Sequence, residues 1–269
     1  MVLMSLMLIL YIIIISRNDN TVSVIMGGAE SGFVQSDNIT FTDLNAVEEV
    51  TVEEQFDDWP DIDFDAADLV PKNLYTVVNE DNALSSAFAP EVTKIDTYQS
   101  MFDVNCVDYL NRLVIAANEA GFHVYLGSAY RSFSYQTQLF NGKASQIALG
   151  YGVTDYNDPE YQKAVEEAKL ITSYPGTSEH QLGTAVDLFD KNYSRMVYEN
   201  MNQEFYEWLD AHCAEYGFIK RYPTKKLLLT GWDEPWHYRF VGVEAAEFIM
   251  SHDICYEEFY AHYHPEFTY

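Results

Sequence analysis

Basic side chains are scarce in this chain. Its 269 residues carry 15 Lys and Arg against 42 Asp and Glu, a formal net charge of −27. Phosphate backbones are bound by clustered Lys and Arg, so nucleic acid is excluded as a partner. Attraction to anionic lipid headgroups is disfavoured for the same reason. Cysteine is rarer still, with Cys106, Cys213 and Cys255 the only three. Three thiols make at most one intramolecular bridge and no disulfide framework, so cysteine usage does not fix the compartment. Internal repeats are also lacking. The acidity bears on solubility and partners, not on fold.

What is present begins with an apolar run. Met1–Ser16 is almost wholly hydrophobic and Arg17 ends it. A spanning helix needs about 20 such residues, so the run is short for a span and also suits a signal-peptide core. No basic leader precedes it, and neither an A-x-A-like cleavage site nor a cysteine follows. The expectation is an uncleaved signal anchor over residues 1–16, contacting the membrane, with the rest extracytoplasmic; cleavage would make the protein secreted. Arg17 on the distal side runs against the positive-inside rule for that orientation. Residues 17–69 read as an acidic extracytoplasmic linker, because self-repelling charge keeps a chain extended. Asp61, Asp63 and Asp65 alternate like calcium ligands, but the glycine and glutamate of an EF-hand loop are absent at the required offsets. Phe56, Trp59 and Phe64 give this stretch apolar points for docking.

The remainder, 70–269, reads as one domain, and a hydrophobic content of 48% supplies its core. Asn105–Gly121 has helical periodicity, and His123–Tyr130 alternates like a strand. Ser134–Leu149 and Asp158–Ile171 are predicted helices, the latter with Pro159 just inside its start. Gln203–Tyr216 is a helix ended by Gly217, Phe218–Arg221 and Trp236–Val241 are strands, and Val243–Ser251 is a last helix. The mixture predicts an α+β fold with a small, mainly antiparallel sheet flanked by helices.

The chemistry lies in two runs. Ser178-Glu-His-Gln-Leu-Gly-Thr-Ala-Val-Asp187 and Glu234-Pro-Trp-His237 offer two imidazoles and one carboxylate: His180, Asp187 and His237. A catalytic zinc takes three protein ligands and an open fourth position, whereas structural sites close the fourth, often with Cys. The cysteines lie far from both runs, so the set points to an open hydrolytic Zn2+ site, with Glu234 placed to handle protons. His180 and Asp187 are seven apart, and one straight strand would put them on opposite faces. A turn at Gln181–Thr184, eased by Gly183, must bring them together before Ala185–Leu188 enters a strand. Pro235 makes a regular central strand improper at Glu234–His237. The competing reading of each histidine alone is an ordinary polar residue at a sheet edge. By the same reasoning Glu179 is read as an exposed carboxylate, His123 as structural, and His262 and His264 as an H-x-H in a loose C-terminus.

Together with Ser128-Ala-Tyr-Arg-Ser132, Pro175-Gly-Thr-Ser-Glu-His180 and Glu234-Pro-Trp-His-Tyr-Arg239, these runs resemble the VanY-type D-alanyl-D-alanine carboxypeptidases, of the lysostaphin- and hedgehog-like zinc folds. The resemblance covers roughly Val70 to Ser251. It implies zinc bound by His180, Asp187 and His237, Glu234 as catalytic base, and Arg131 near the scissile carbonyl. It also implies Gln138 and Ser178 as pocket-lining substrate contacts, although Ser178 could equally cap a turn. The implied activity is removal of the C-terminal D-alanine, at a D,D- or L,D-bond, from peptidoglycan stem peptides. The alternatives are an endopeptidase cutting peptide cross-links and a non-catalytic zinc-stabilised cell-wall binding module. The residues before Pro175 read Thr-Ser-Tyr, where relatives often carry a small residue and an arginine.

Overall fold

The computed structural model describes residues 56–66, 70–191 and 201–267. The apolar run 1–16 lies outside them, and among the described residues no helix is long and apolar enough to cross a membrane. A hairpin of β1 (Val92–Lys94) and β2 (Met101–Asp103) leads into α1 (Val107–Glu119), whose Leu110, Leu113, Val114 and Ala117 form the buried stripe that the periodicity predicts. Then come β3 (Val124–Ser128), α2 (Phe133–Gly150) and α3 (Pro159–Lys169). Ser132 caps α2 by accepting from the Tyr135 N–H, and Asp158 caps α3 with Pro159 in its first turn. A 3-10 turn over Glu179–Leu182 opens into β4 (Ala185–Asp190). The chain finishes through α4 (Gln203–His212), β5 (Phe218–Tyr222), the short α5 (Leu227–Thr230), β6 (Glu234–Phe240), α6 (Val243–Ser251) and α7 (Tyr256–Tyr263).

The main sheet has the order β3-β4-β6-β5, with every neighbouring pair antiparallel. This is the α+β arrangement expected. β4 is buried along its whole length, so it reads as a continuous apolar run interrupted only by the carboxylates Asp187 and Asp190. One core gathers α1, the sheet and α4 around Phe102, Leu110, Leu113, Val186, Leu188, Phe205 and Phe218. A second packs α6 and α7 around Ile219, Val241, Ile249, Tyr256 and Phe259. The α2–α3 hairpin closes through Ala144, Ala148, Ala164 and Ala168, small residues that let the helices approach.

Three expectations change. Pro235 does lie within a central strand. It is tolerated because the β4–β6 ladder runs only from Ala185↔Arg239 to Asp187↔His237, and the β5 side has a register irregularity between Lys220 and Tyr222. The C-terminus is not loose: α7 extends the fold, His262 stacks on Trp59 at 3.7 Å between ring centroids, and His264 stacks on Tyr260 at 4.1 Å. Lastly, the described part of the stretch read as linker, 56–66, packs on the domain. Phe56, Trp59 and Phe64 join the second core, with Trp59 4.6 Å from Phe248 and Phe64 4.9 Å from Tyr263.

Candidate active site

The two strands at the centre of the sheet bring two of the predicted ligands side by side. Asp187 on β4 is the cross-strand partner of His237 on β6, so both project from adjacent pleats. His180 reaches them from the 3-10 turn, which reverses into β4 through Gly183. That glycine has φ of 80°, a region only glycine enters cheaply, and a Cβ there would meet Pro90 Cγ at 3.1 Å. The turn demanded by the odd spacing is therefore present. On the other side Ser128 pairs with Asp187 across a register shift in β3. Gly127 sits at that shift, where a Cβ would lie 2.5 Å from Phe189 Cε2. β3 delivers Arg131 three residues beyond its end, and the Arg131 N–H donates to the His180 carbonyl at 3.0 Å, locking the arginine loop to the ligand turn.

Donor atoms of His180, Asp187 and His237 all lie within 4.8 Å of one another, and all three residues are buried. Their hydrogen bonds decide which nitrogen faces inward. His180 Nδ1 is 2.8 Å from the Ala129 carbonyl, so it is the protonated nitrogen and donates there. That leaves the Nε2 lone pair pointing toward Asp187 Oδ1 at 3.3 Å. Burial, with the Arg131 cation nearby, lowers the His180 pKa to about 4, so this ring is neutral. His237 is arranged the other way: Nε2 faces Glu179 Oε2 at 3.3 Å, while Nδ1 lies 3.1 Å from Asp187 Oδ1. Burial alone would lower its pKa, but the hydrogen bonds to Asp187 and Glu179 raise it to about 9. Burial would likewise raise the Asp187 carboxyl, yet His180 and His237 hold it well below the usual range. A neutral imidazole, an ionised carboxylate and a second imidazole with one exchangeable proton therefore converge on one point. That donor set fits Zn2+: nitrogen and oxygen ligands, three in number, with the outer nitrogen of each histidine already engaged, by the Ala129 carbonyl and by Glu179.

Glu234 and Arg131 flank this centre. Glu234 Oε2 is 3.8 Å from His237 Nδ1. Burial raises its pKa to about 7, against the pull of His237 and Arg131. The Arg131 guanidinium is desolvated, which lowers its pKa although Asp187 and Glu234 oppose this; it remains a cation. Among the described residues its one side-chain hydrogen bond runs to Ser178 Oγ at 3.3 Å, and its buried Nε has no partner there. Ser178 thus serves Arg131 and makes no cap to its own turn. All six residues line one cleft, whose walls add Thr172, Ser173, Tyr222, Trp232 and Trp236.

The structure does not bring Gln138 into the cleft. It is exposed on α2, about 200° around the helix from Gln136, which is buried with Phe140, Ala144 and Ala148 and donates to the Ser173 carbonyl at 2.6 Å. The signal for Gln136 was its i, i+4, i+8, i+12 spacing with those residues. Glu179 is a second correction. It is fully buried, not exposed, and it supports His237 while also accepting from Arg221 and Arg239. Burial would raise its carboxyl, but the two guanidiniums keep it well below the ordinary value. Arg221 and Arg239 were not anticipated. For Arg239 the clue is parity, since it lies two residues past His237 and points to the same face of β6.

A small antiparallel sheet that gathers two imidazoles and a carboxylate with the donor set of a metal site, with a carboxylic acid and a cation in the same cleft, is the arrangement of the mononuclear metallohydrolase class. The VanY family model, D-alanyl-D-alanine carboxypeptidase, matches residues 99–243, and the chain belongs to this family. It is 34% identical over 184 residues to a D-alanyl-D-alanine carboxypeptidase of Enterococcus faecalis, covering 68% of this chain and 64% of that relative's length. Among solved structures, the vancomycin-resistance D,D-pentapeptidase VanY from a VanB-type cassette, in complex with Zn(II), superposes with a TM-score of 0.57 at 33% identity. That match covers 69% of this chain and 97% of the other. The LdcB LD-carboxypeptidase also gives a TM-score of 0.57, at 27% identity, covering 70% and 87%.

Proposed function

We propose that this chain is a zinc-dependent carboxypeptidase that hydrolyses the C-terminal D-alanine from peptidoglycan stem peptides. The observation that carries the reading is the convergence of His180, Asp187 and His237 with Glu234 and Arg131 in one cleft. His180, Asp187 and His237 would hold the zinc ion, which when bound would supply Lewis acidity at this point of the cleft. Glu234 takes the proton of the attacking water and returns it to the leaving amine. A carboxyl whose pKa is lifted to about 7 by burial suits both halves of that transfer. Arg131, with an unspent buried donor, faces the negative charge that develops on the carbonyl oxygen. Ser178 orients the guanidinium. A pure binding module has no need of a base and a desolvated cation beside the metal, which speaks against the non-catalytic alternative.

The substrate follows from the relatives, which are named for D-alanyl-D-alanine and LD-carboxypeptidase activities. The apolar run Met1–Ser16 supports an extracytoplasmic enzyme anchored in the cell membrane, where such substrates lie. Cell fractionation with sequencing of the mature N-terminus tests this: an intact residue 1 in the membrane fraction is expected, and a soluble cytoplasmic protein would overturn it. Activity is tested by mass spectrometry of defined muropeptides incubated with zinc-loaded protein. Loss of one alanine from a pentapeptide means D,D-cleavage, and loss from a tetrapeptide means L,D-cleavage. Separation of a cross-linked dimer would mean an endopeptidase. Unchanged masses throughout would refute the proposal.

A further inference from the structure

Behind the metal centre lies a chain of buried charges, which meets the cleft wall at Glu179. Glu179 Oε1 accepts from Arg221 Nε at 2.8 Å and from an Arg239 terminal nitrogen at 2.6 Å, while Oε2 faces His237 Nε2. Arg221 presents its other two nitrogens, fork to fork, to Glu257 at 2.9 and 2.5 Å. Arg239 is tied to the carbonyls of Leu74 and Thr76 at 2.9 and 2.7 Å. The Tyr256 ring lies under both guanidiniums, 5.2 Å from that of Arg221 and 4.5 Å from that of Arg239. None of the four charged residues is more than 4% exposed. Two carboxylates balance two guanidiniums.

Stability alone does not explain this cluster. Buried ion pairs lose about as much in desolvation as they gain by attraction, and apolar side chains of similar volume commonly do as well. What apolar packing cannot do is accept the Nε2–H of His237. A histidine that binds metal through one nitrogen needs a fixed acceptor on the other, which sets both tautomer and ring orientation. Glu179 is that acceptor, and a lone buried carboxylate would not stay ionised or still. Arg221 and Arg239 hold it, and without Glu257 the two cations would face a single carboxylate. Glu257 belongs to α7, outside the 99–243 span of the family match.

We propose that Glu257, acting from α7 through Arg221 and Glu179, is a positioning residue for the metal ligand His237. The C-terminal helix is therefore part of the metal centre. The inference rests on the three-ligand site of the proposed function but on no assumption about substrate.

The test is zinc affinity, measured on the full chain by competition with a chromophoric chelator, together with the absorption spectrum of the Co2+-loaded protein. Glu257→Gln keeps the shape of the side chain and removes its charge. Zinc should bind about 10–100-fold more weakly, the usual loss when an outer partner of a metal ligand is altered, and the cobalt bands should shift. Phe259→Leu, in the same helix but outside the charge chain, is the control for a merely structural role. It lowers the melting temperature and leaves the zinc dissociation constant and cobalt spectrum at wild-type values. Should Glu257→Gln be insoluble, the double variant Arg221→Gln/Glu257→Gln removes both charges together, avoids a lone buried cation, and should show the same loss. Wild-type zinc affinity in whichever of these folds, or equal losses in Glu257→Gln and Phe259→Leu, would overturn the inference. A protein that hydrolyses no muropeptide yet loses zinc affinity as described would leave this inference standing and remove the proposed function instead.

Discussion

Arg131 is the residue whose replacement separates catalysis from architecture most cleanly. Its guanidinium has five N–H donors, of which one is spent on Ser178 Oγ, and its Nε is buried without a partner. A cation left this poorly satisfied contributes little to folding, since its desolvation offsets its attraction to Asp187 and Glu234. Truncation to alanine should therefore leave thermal stability within about 1 kcal/mol of wild type, at the lower end of single-residue effects. Zinc content should be unchanged, because the side chain is no ligand. The transition state is different: loss of one donor to a developing oxyanion costs about 10²–10³ in turnover, or about 2.7–4 kcal/mol. Arg131→Lys should recover little, because a lysine cannot reproduce the planar fork that reaches both Ser178 and the carbonyl. Steady-state kinetics on a stem peptide, with a melting curve and metal analysis of each variant, makes the comparison. If both variants turn over at the wild-type rate while folded and zinc-loaded, Arg131 is an ion-pairing residue only and the catalytic assignment is wrong.

Replacing His180 or His237 by Ala should abolish stoichiometric zinc, and full occupancy in both purified variants would sink the ligand assignment. Glu234→Gln should keep its zinc and lose about 10²–10⁴-fold in turnover, the scale of general acid–base catalysis; near wild-type rates would remove Glu234 from the mechanism. Zinc affinity should depend on pH through His237, whose pKa in the metal-free centre is about 9. Below that value the ring carries a proton that the metal must displace from Nδ1, so the apparent dissociation constant should rise about tenfold for each pH unit lost. Affinity that stays flat between pH 8 and 6 would show that His237 is already neutral.

The meeting of His180 and Asp187 was legible because their spacing carries a geometric demand. A spacing of seven positions from His180 to Asp187 requires a reversal, Gly183 permits one, and the structure has a 3-10 turn ending at φ of 80° there. Helices α1, α3 and α6 and strands β3 and β5 were legible from periodicity and caps, to within a few residues at their ends. Gln138 misled because a likeness of motif fixes a residue's neighbourhood but not its face, and the inward face of α2 is that of Gln136. Glu179 misled because a carboxylate beside a ligand looks solvent-facing until its partners are known, and those arrive from β5 and β6. The helix α7 has a trace of its own in the sequence. Tyr256, Phe259, Tyr260 and Tyr263 follow the i, i+3, i+4, i+7 rule, and Glu258 closes a capping box with Cys255.

The three cysteines give the protein a property unrelated to its chemistry. Cys106, Cys213 and Cys255 are unpaired and buried, at the start of α1, the end of α4 and the start of α7. Burial pushes all three thiols far above their ordinary range, so almost no thiolate exists in the native state. Alkylating reagents and mild oxidants have nothing to attack until the chain opens. Each thiol is thus a silent clock on the opening of its own helix end, and the rate at which Cys255 becomes labelled times the lifting of α7 without any engineered probe.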